Sequence, residues 1–236
     1  MMKKAADNGF EGFSPEALRF LTEVRSQNSK QWFEEHRPEY QRCLLGPMQA
    51  FVRELGGFML TVDPQLEVRP AVGKTISRIF RDTRFSRDKS LFRDCLWFSF
   101  KRSSRDWEDT PGYFFEINPG GCSYGMGFYL TSRETMAAFR SRIAARPEQF
   151  RAAIAPLREG SLRLEGELYK RPPQPNGPDD LRQWTQRKNF YLVRDRAPDA
   201  TLFSGAVADE VISEFERVVP LYHYLWETIS LKGVSS

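Results

Sequence analysis

The chain has 236 residues with two histidines, His36 and His223, and three cysteines, Cys43, Cys95 and Cys122, without a Cys-x-x-Cys pair. This excludes a multi-histidine metal site, a zinc ribbon and a thioredoxin-like centre, and it favours a reducing, cytoplasmic setting over a secreted disulfide scaffold. Nineteen phenylalanines, a mean hydropathy of −0.54 and short apolar runs predict a soluble folded core with no membrane span, while a net charge of +4 permits an anionic partner without requiring one.

Ser14-Pro15-Glu16 reads as a helix start, with a capping hydroxyl, a proline at the first helical position and an acid facing the dipole; Leu18, Leu21 and Val24 follow at helical spacing. A second helix is expected over 30–37, anchored by Trp32 and Phe33. A third starts near Pro47, carries the stripe Met48, Phe51, Leu55, Phe58 and Met59, and ends before Asp63-Pro64. The texture then changes, and 74–82, 94–101, 112–118 and 122–130 read as strands. Tyr113, Phe115 and Ile117 alternate before the turn Asn118-Pro119-Gly120-Gly121, and Tyr124, Met126, Phe128 and Leu130 alternate after it. The opposite face carries Glu116, Ser123, Gly125, Gly127 and Tyr129. Its two glycines leave either a shallow groove or room for close packing.

Ser132 is expected to cap a helix bearing Met136, Phe139 and Ile143, and Pro147 to open another bearing Phe150 and Ile154. The prolines of 170–178 predict a loop. A short helix over 179–184 and a short strand over 189–193 follow. A last helix begins near Ala206 with Val207, Val211, Phe215 and Val218 buried, and Pro220 kinks or restarts it. The expected class is α+β: a helical N-terminal segment, a central and mostly antiparallel sheet, and C-terminal helices packed on it. One domain is expected over 10–231, with flexible tails at 1–9 and 232–236; the amino end has no apolar stretch resembling a secretory signal.

Chemistry concentrates in 74–93, where seven of twenty residues are basic and two acidic. As a strand, 74–82 would put Lys74, Arg78 and Asp82 on one face and Arg81 on the other. Residues 84–89 read as a turn in which Ser86 or Asp88 accepts from following backbone N–H groups. Ile79, Phe80 and Phe85 would anchor arginines well suited to phosphate or carboxylate oxygens. The alternative is an ion-pair lattice in which Asp82, Asp88 and Glu116 neutralise Arg81, Arg84 and Lys89. Asp82, between arginines, should have a lowered pKa and be a poor base.

The run Arg81-Asp82-Thr83-Arg84-Phe85-Ser86-Arg87-Asp88-Lys89-Ser90-Leu91-Phe92-Arg93 strongly resembles the signature of the family catalogued as domain of unknown function 2461. Asn28, Trp32-Phe33 and Arg37, the hairpin from Pro111-Gly112-Tyr113 to Gly127-Phe128-Tyr129, Tyr169-Lys170-Arg171-Pro172, Lys188 and Phe190 are similar to its other markers. Leu91 stands where the family usually has proline, and Arg93 where it usually has lysine. The resemblance implies a soluble α+β domain and assigns no catalytic roles.

Other motifs are sparse. His36 reads as solvated, His223 as a hydrogen-bonded packing histidine, and Cys95 and Cys122 as inert buried thiols in strands. No Gly-x-Ser-x-Gly elbow or Gly-rich phosphate loop occurs. Met126 to Tyr129 reads as core packing rather than a stacking platform for bases.

The leading expectation is an anion-binding pocket, with the Gly125/Gly127 hairpin as its floor and the Arg-rich segment as its rim. The ligand-binding set is Arg78, Arg81, Asp82, Arg84, Ser86, Asp88, Lys89, Arg93, Glu116 and Tyr129. Any chemistry there would be metal-independent or use metal held by carboxylates, with Glu116 or Asp88 as base. No cofactor is called for, and the sequence leaves open whether the protein is an enzyme and what its oligomeric state is. The alternatives are a non-catalytic protein- or nucleic-acid-interaction module and a purely structural ion-pair network. A small anionic ligand is the first expected partner and nucleic acid the second, with no membrane.

Overall fold

A computed structural model describes residues 9–84, 88–103, 109–128, 130–171, 173 and 178–232, with the side chains of 231 and 232 left aside. Helix α1, Pro15–Gln27, starts where Pro15 predicts and buries Ala17, Leu18, Phe20, Leu21 and Val24. Ser14 holds the extended cap position, but its hydroxyl makes no capping bond. The helix ends at Asn28 in the left-handed region (φ 39°, ψ 37°).

Helix α2, Lys30–Glu35, is capped by the Ser29 side chain, which accepts from Trp32 N. It stops two residues short of the expected end. The short α3, Arg37–Glu39, and a π-helical turn, Tyr40–Leu45, then lead directly into α4, Gly46–Val62. Pro47 has no N–H to close an α-turn, and the Gly46 N–H reaches back five residues to the Gln41 carbonyl, the π pattern. Met48, Phe51, Leu55 and Met59 of the expected stripe are buried, whereas Phe58 is half-exposed.

The strands are β1 Leu96–Phe100, β2 Pro111–Asn118, β3 Gly121–Phe128, β4 Arg163–Glu165 and β5 Tyr191–Arg196. They form one antiparallel sheet in the order β1-β2-β3-β5-β4. At the β2–β3 turn, Asn118 Oδ1 accepts from Gly120 N at 2.8 Å. Tyr113, Phe115, Ile117, Tyr124, Met126 and Phe128 are all buried, as their alternation requires. Leu130 lies beyond the end of β3 and is exposed, against expectation.

β5 begins two residues later than expected because the preceding segment is already engaged elsewhere. Lys188 N donates to Glu167 O, and Asn189 Oδ1 accepts from Glu167 N. β4, unforeseen in the sequence, pairs antiparallel with β5, Leu164 opposite Leu192.

Helix α5, Arg133–Ala145, is capped as expected by Ser132, which accepts from Thr135 N, and α6, Pro147–Ile154, starts at its proline. A 3-10 turn, Asp179–Leu181, leads into α7, Arg182–Thr185. Helix α8, Ala206–Lys232, continues through Pro220 as one element. The architecture is α+β.

Contacts group the chain into two compact units. The first comprises 1–100, 115–123 and 195–212, and its core is aromatic. Phe51 of α4 meets Phe98 of β1 at 5.5 Å and Phe115 of β2 at 4.9 Å, and Phe13 stacks on Phe115. The second comprises 101–114, 124–194 and 213–236. There Tyr113 of β2 packs on Phe215 and Tyr222 of α8 at 4.9 and 5.1 Å, and Phe139 of α5 on Phe150 and Phe190.

Candidate functional site: an arginine-rich ribbon

The basic segment is not the regular strand expected over 74–82. Gly73, at φ 80°, lets the chain turn between Ala71 and Ile76, where Ile76 N bonds Ala71 O. Beyond this turn only isolated bridges form, Ile76 with Phe98 and Phe80 with Phe92. Thr75 and Ser77 pair with Ser99 and Trp97, and Ile79 and Arg81 pair with Arg93 and Leu91 through Arg93 N to Ile79 O and Arg81 N to Leu91 O, both at 2.9 Å. The segment is therefore an irregular ribbon whose antiparallel register along 91–99 shifts between the Ser77–Trp97 and Ile79–Arg93 pairings, and no continuous ladder fixes the faces assumed from period-two spacing.

Apolar contacts hold the ribbon. Ile76, Ile79 and Phe92 are buried, and Phe92 stacks on Phe33 of α2 at 4.6 Å. The Asn28 carboxamide adds a polar clamp: Oδ1 accepts from Leu91 N (2.6 Å) and Phe92 N (3.3 Å), and Nδ2 donates to Phe92 O (3.4 Å). Asn28 is one of the residues that resemble the family's markers, and nothing local in the sequence points to this clamp, which joins positions 63 and 64 residues apart.

The charged groups divide by partner. Arg84 grips Asp82 with two bonds, Nε to Oδ1 at 3.0 Å and Nη2 to Oδ2 at 2.7 Å, and its backbone N–H adds a third. These bonds lower the Asp82 pKa to about 2, as the flanking arginines lead one to expect. Arg81 lies 3.3 Å from Asp88. Asp88 also accepts from Ser90 N, and that bond lowers its pKa, which makes it a poor base near neutrality. Lys89 reaches the Thr83 carbonyl at 2.8 Å rather than a carboxylate, and Arg93 lies 4.4 Å over the Trp97 ring.

Among the described residues, Arg78, Lys89 and Arg93 join no ion pair. Arg81 Nε is buried and makes no hydrogen bond among them.

Among the described residues, Glu116 joins no ion pair with Arg81, Arg84 or Lys89. It is half-exposed on β2, near Asn118 Nδ2 at 3.5 Å and beside Cys95. Cys95 precedes β1 and is half-buried rather than a buried strand residue; burial, then the Glu116 carboxylate, pushes its thiol up to about 12. Ser86 and Tyr129 lie outside the described residues.

The Gly125/Gly127 face is no open floor. A side chain at Gly125 would fall 1.8 Å from the Leu192 carbonyl oxygen, and one at Gly127 2.4 Å from Tyr191 Cα, so the backbone at the start of β5 takes this space. Close backbone approach, the other reading of the two glycines, is what the fold contains.

The histidines lie elsewhere. His36 is half-exposed and stacks on Trp32 at 4.2 Å with Nδ1 2.8 Å from Trp32 O. His223 is exposed, contrary to the packing role expected for it, because the adjacent Tyr222 and Tyr224 take the inward positions of α8. No group of three or more potential metal ligands occurs among the described residues, and no helix among them is long and apolar enough to cross a membrane.

Residues 16–224 match the family described as conserved hypothetical protein (DUF2461). The chain belongs to that family. Neither the curated proteins nor the solved structures offered a match. Within this DUF2461 chain the match takes in the ribbon, its Asn28 clamp and strands β1 to β5.

Proposed function

We propose that the ribbon recognises the phosphate or carboxylate group of an anionic partner. The observation that carries this reading is Arg81, whose Nη2 faces Asp88 but whose buried Nε–H lacks an acceptor among the described residues, in a segment where Arg78, Lys89 and Arg93 join no ion pair among them. A buried donor left unpaired is costly, and an oxyanion seated on the guanidinium would satisfy it. The surplus positive charge would favour the same ligand.

Isothermal titration with inorganic phosphate at low ionic strength tests the reading. Arg81→Lys keeps the charge but removes the Nε–H and the planar fork, a loss of about 1.5–3 kcal/mol for a charge-assisted bond. The expected result is binding weakened at least tenfold; binding unchanged in Arg81→Lys, or absent from the native protein, overturns it.

A second reading, an interaction surface for a protein or nucleic acid, is favoured by exposure. The Arg84 side chain is 76% exposed, and Phe80 and Leu91 are 44% and 46% exposed on the same ribbon. It predicts oligonucleotide binding that falls steeply with salt or capture of an acidic protein, whereas the first predicts binding of phosphate alone.

A further inference from the structure

Helix α5 carries a buried stripe of Met136, Phe139 and Ile143, and its spacing calls for another apolar residue at position 140. The residue there is an arginine that is only 6% exposed. A guanidinium stays charged in any protein environment, so its burial must be compensated. Among the described residues, Arg140 has no carboxylate partner. Its polar contacts among them are one long hydrogen bond, Nη1 to the Arg187 carbonyl at 3.5 Å, and the Tyr169 ring, 5.6 Å from Cζ, and none of its nitrogens is both shut off from solvent and unbonded.

Two other well-buried arginines show what compensation looks like in this protein. Arg142, on the same helix, bonds Glu227, Thr228 and the Tyr224 carbonyl, and Arg196 is held by Asp199 and Glu210. Arg140 is the more deeply buried and has neither kind of carboxylate support.

Its surroundings add positive charge. Tyr169 N bonds Gln186 O and Leu168 bridges Arg187, so the Tyr169 segment runs beside the Arg187 segment. The Arg187 guanidinium is fixed by three backbone carbonyls, those of Gln183, Gly166 and Leu164. Carbonyls satisfy its donors without neutralising its charge. Lys170 and Arg171, next along the chain, are exposed.

We propose that Arg140, covered by Tyr169, anchors an oxyanion site in the second unit that takes the phosphate or carboxylate of a small molecule. One protein acceptor leaves most of the five guanidinium N–H groups for the ligand, enough for a two-bond grip. The half-exposed Tyr169 sits where such a ligand would meet solvent. This site rests on observations separate from the ribbon, and the Arg81→Lys and Arg140→Lys titrations tell the loss of one from the loss of the other.

The test is isothermal titration of the full chain with inorganic phosphate and, separately, citrate, which distinguish a phosphate from a carboxylate preference. It is run on native protein, Arg140→Lys, Arg140→Leu and Arg81→Lys. The expected result is that Arg140→Lys weakens one class of bound anion at least tenfold, that Arg81→Lys leaves that class intact, and that unliganded Arg140→Leu melts no lower than native protein because a buried charge with no carboxylate opposite has gone. Neither anion binding to native protein, or both binding Arg140→Lys as tightly as native, overturns the proposal. So does an Arg140→Leu protein that is less stable yet binds normally, which would mark a purely structural arginine. If Arg140→Leu does not fold, the Arg140→Lys titration decides.

Discussion

Asn28 joins the end of α1 to the arginine ribbon across 63 residues of sequence, and replacing it separates two contributions that the structure combines. Its left-handed backbone costs a residue with a Cβ roughly 1–2 kcal/mol, a cost that asparagine bears better than alanine and glycine does not incur. Its side chain makes two bonds to the ribbon as acceptor and a longer one as donor, each worth about 0.5–1.5 kcal/mol net. Phe92 is 2% exposed, so water cannot readily replace the partner its N–H would lose.

Asn28→Ala loses both contributions, about 3–4 kcal/mol. Asn28→Gly keeps the backbone geometry and loses the bonds, about 2 kcal/mol. Asn28→Asp keeps both acceptor bonds and should lose about 1 kcal/mol or less. At about 2–4 °C per kcal/mol for a chain of this size, Asn28→Ala should lower Tm by about 10 °C and Asn28→Gly by about 5 °C, with Asn28→Asp closest to native. Thermal melts followed by circular dichroism, with urea titrations for the free energies, give the ranking. Equal losses for alanine and glycine would remove the strain argument, and an Asn28→Ala protein within 2 °C of native would refute the clamp.

Two glycines should respond in opposite directions. Gly125→Ala places a methyl group 1.8 Å from the Leu192 carbonyl oxygen and should abolish soluble expression or cost more than about 4 kcal/mol, whereas Gly57→Ala, at an exposed position of α4, meets nothing within 4 Å and should add about 0.5–1 kcal/mol; melting temperatures of the two variants check both signs. Burial pushes the pKa of Tyr40 up to about 12, Cys43 to about 11 and Tyr224 to about 12, so the folded chain keeps protons that the unfolded chain releases near 9 and 10. Their stabilisation is intact below about pH 9 and is lost as pH rises through 9–12, about 3 kcal/mol from Tyr40 alone. Melts across pH 8–11 should show the decline and Tyr40→Phe should flatten it; a flat native profile would contradict the argument. Surface pairing predicts the reverse for Asp82, whose contribution is present above about pH 4 and lost as pH falls through about 2, and proton titration of its carboxyl by NMR reads this directly.

Much of the fold was legible in local pattern, because a helix or strand that buries one face must repeat its apolar residues at that element's period. Pro15, Ser132 and Pro147 mark helix starts, and Tyr113 to Phe128 alternate through the hairpin, because each signal spans only a few residues. The charge of 74–93 was equally plain, and so was the low pKa of an aspartate between arginines. What the charges do depends on segments far apart in sequence, so tertiary structure decided it. The ribbon's pairing with 91–99 replaced a regular strand, and the β5 backbone filled the face over Gly125 and Gly127 that had looked open. An arginine on the apolar stripe of α5 turned out to be buried with a carbonyl and a ring, and no carboxylate among the described residues, beside it. Composition counts a charge, but only the packing around it determines whether a carboxylate, a carbonyl or neither stands opposite.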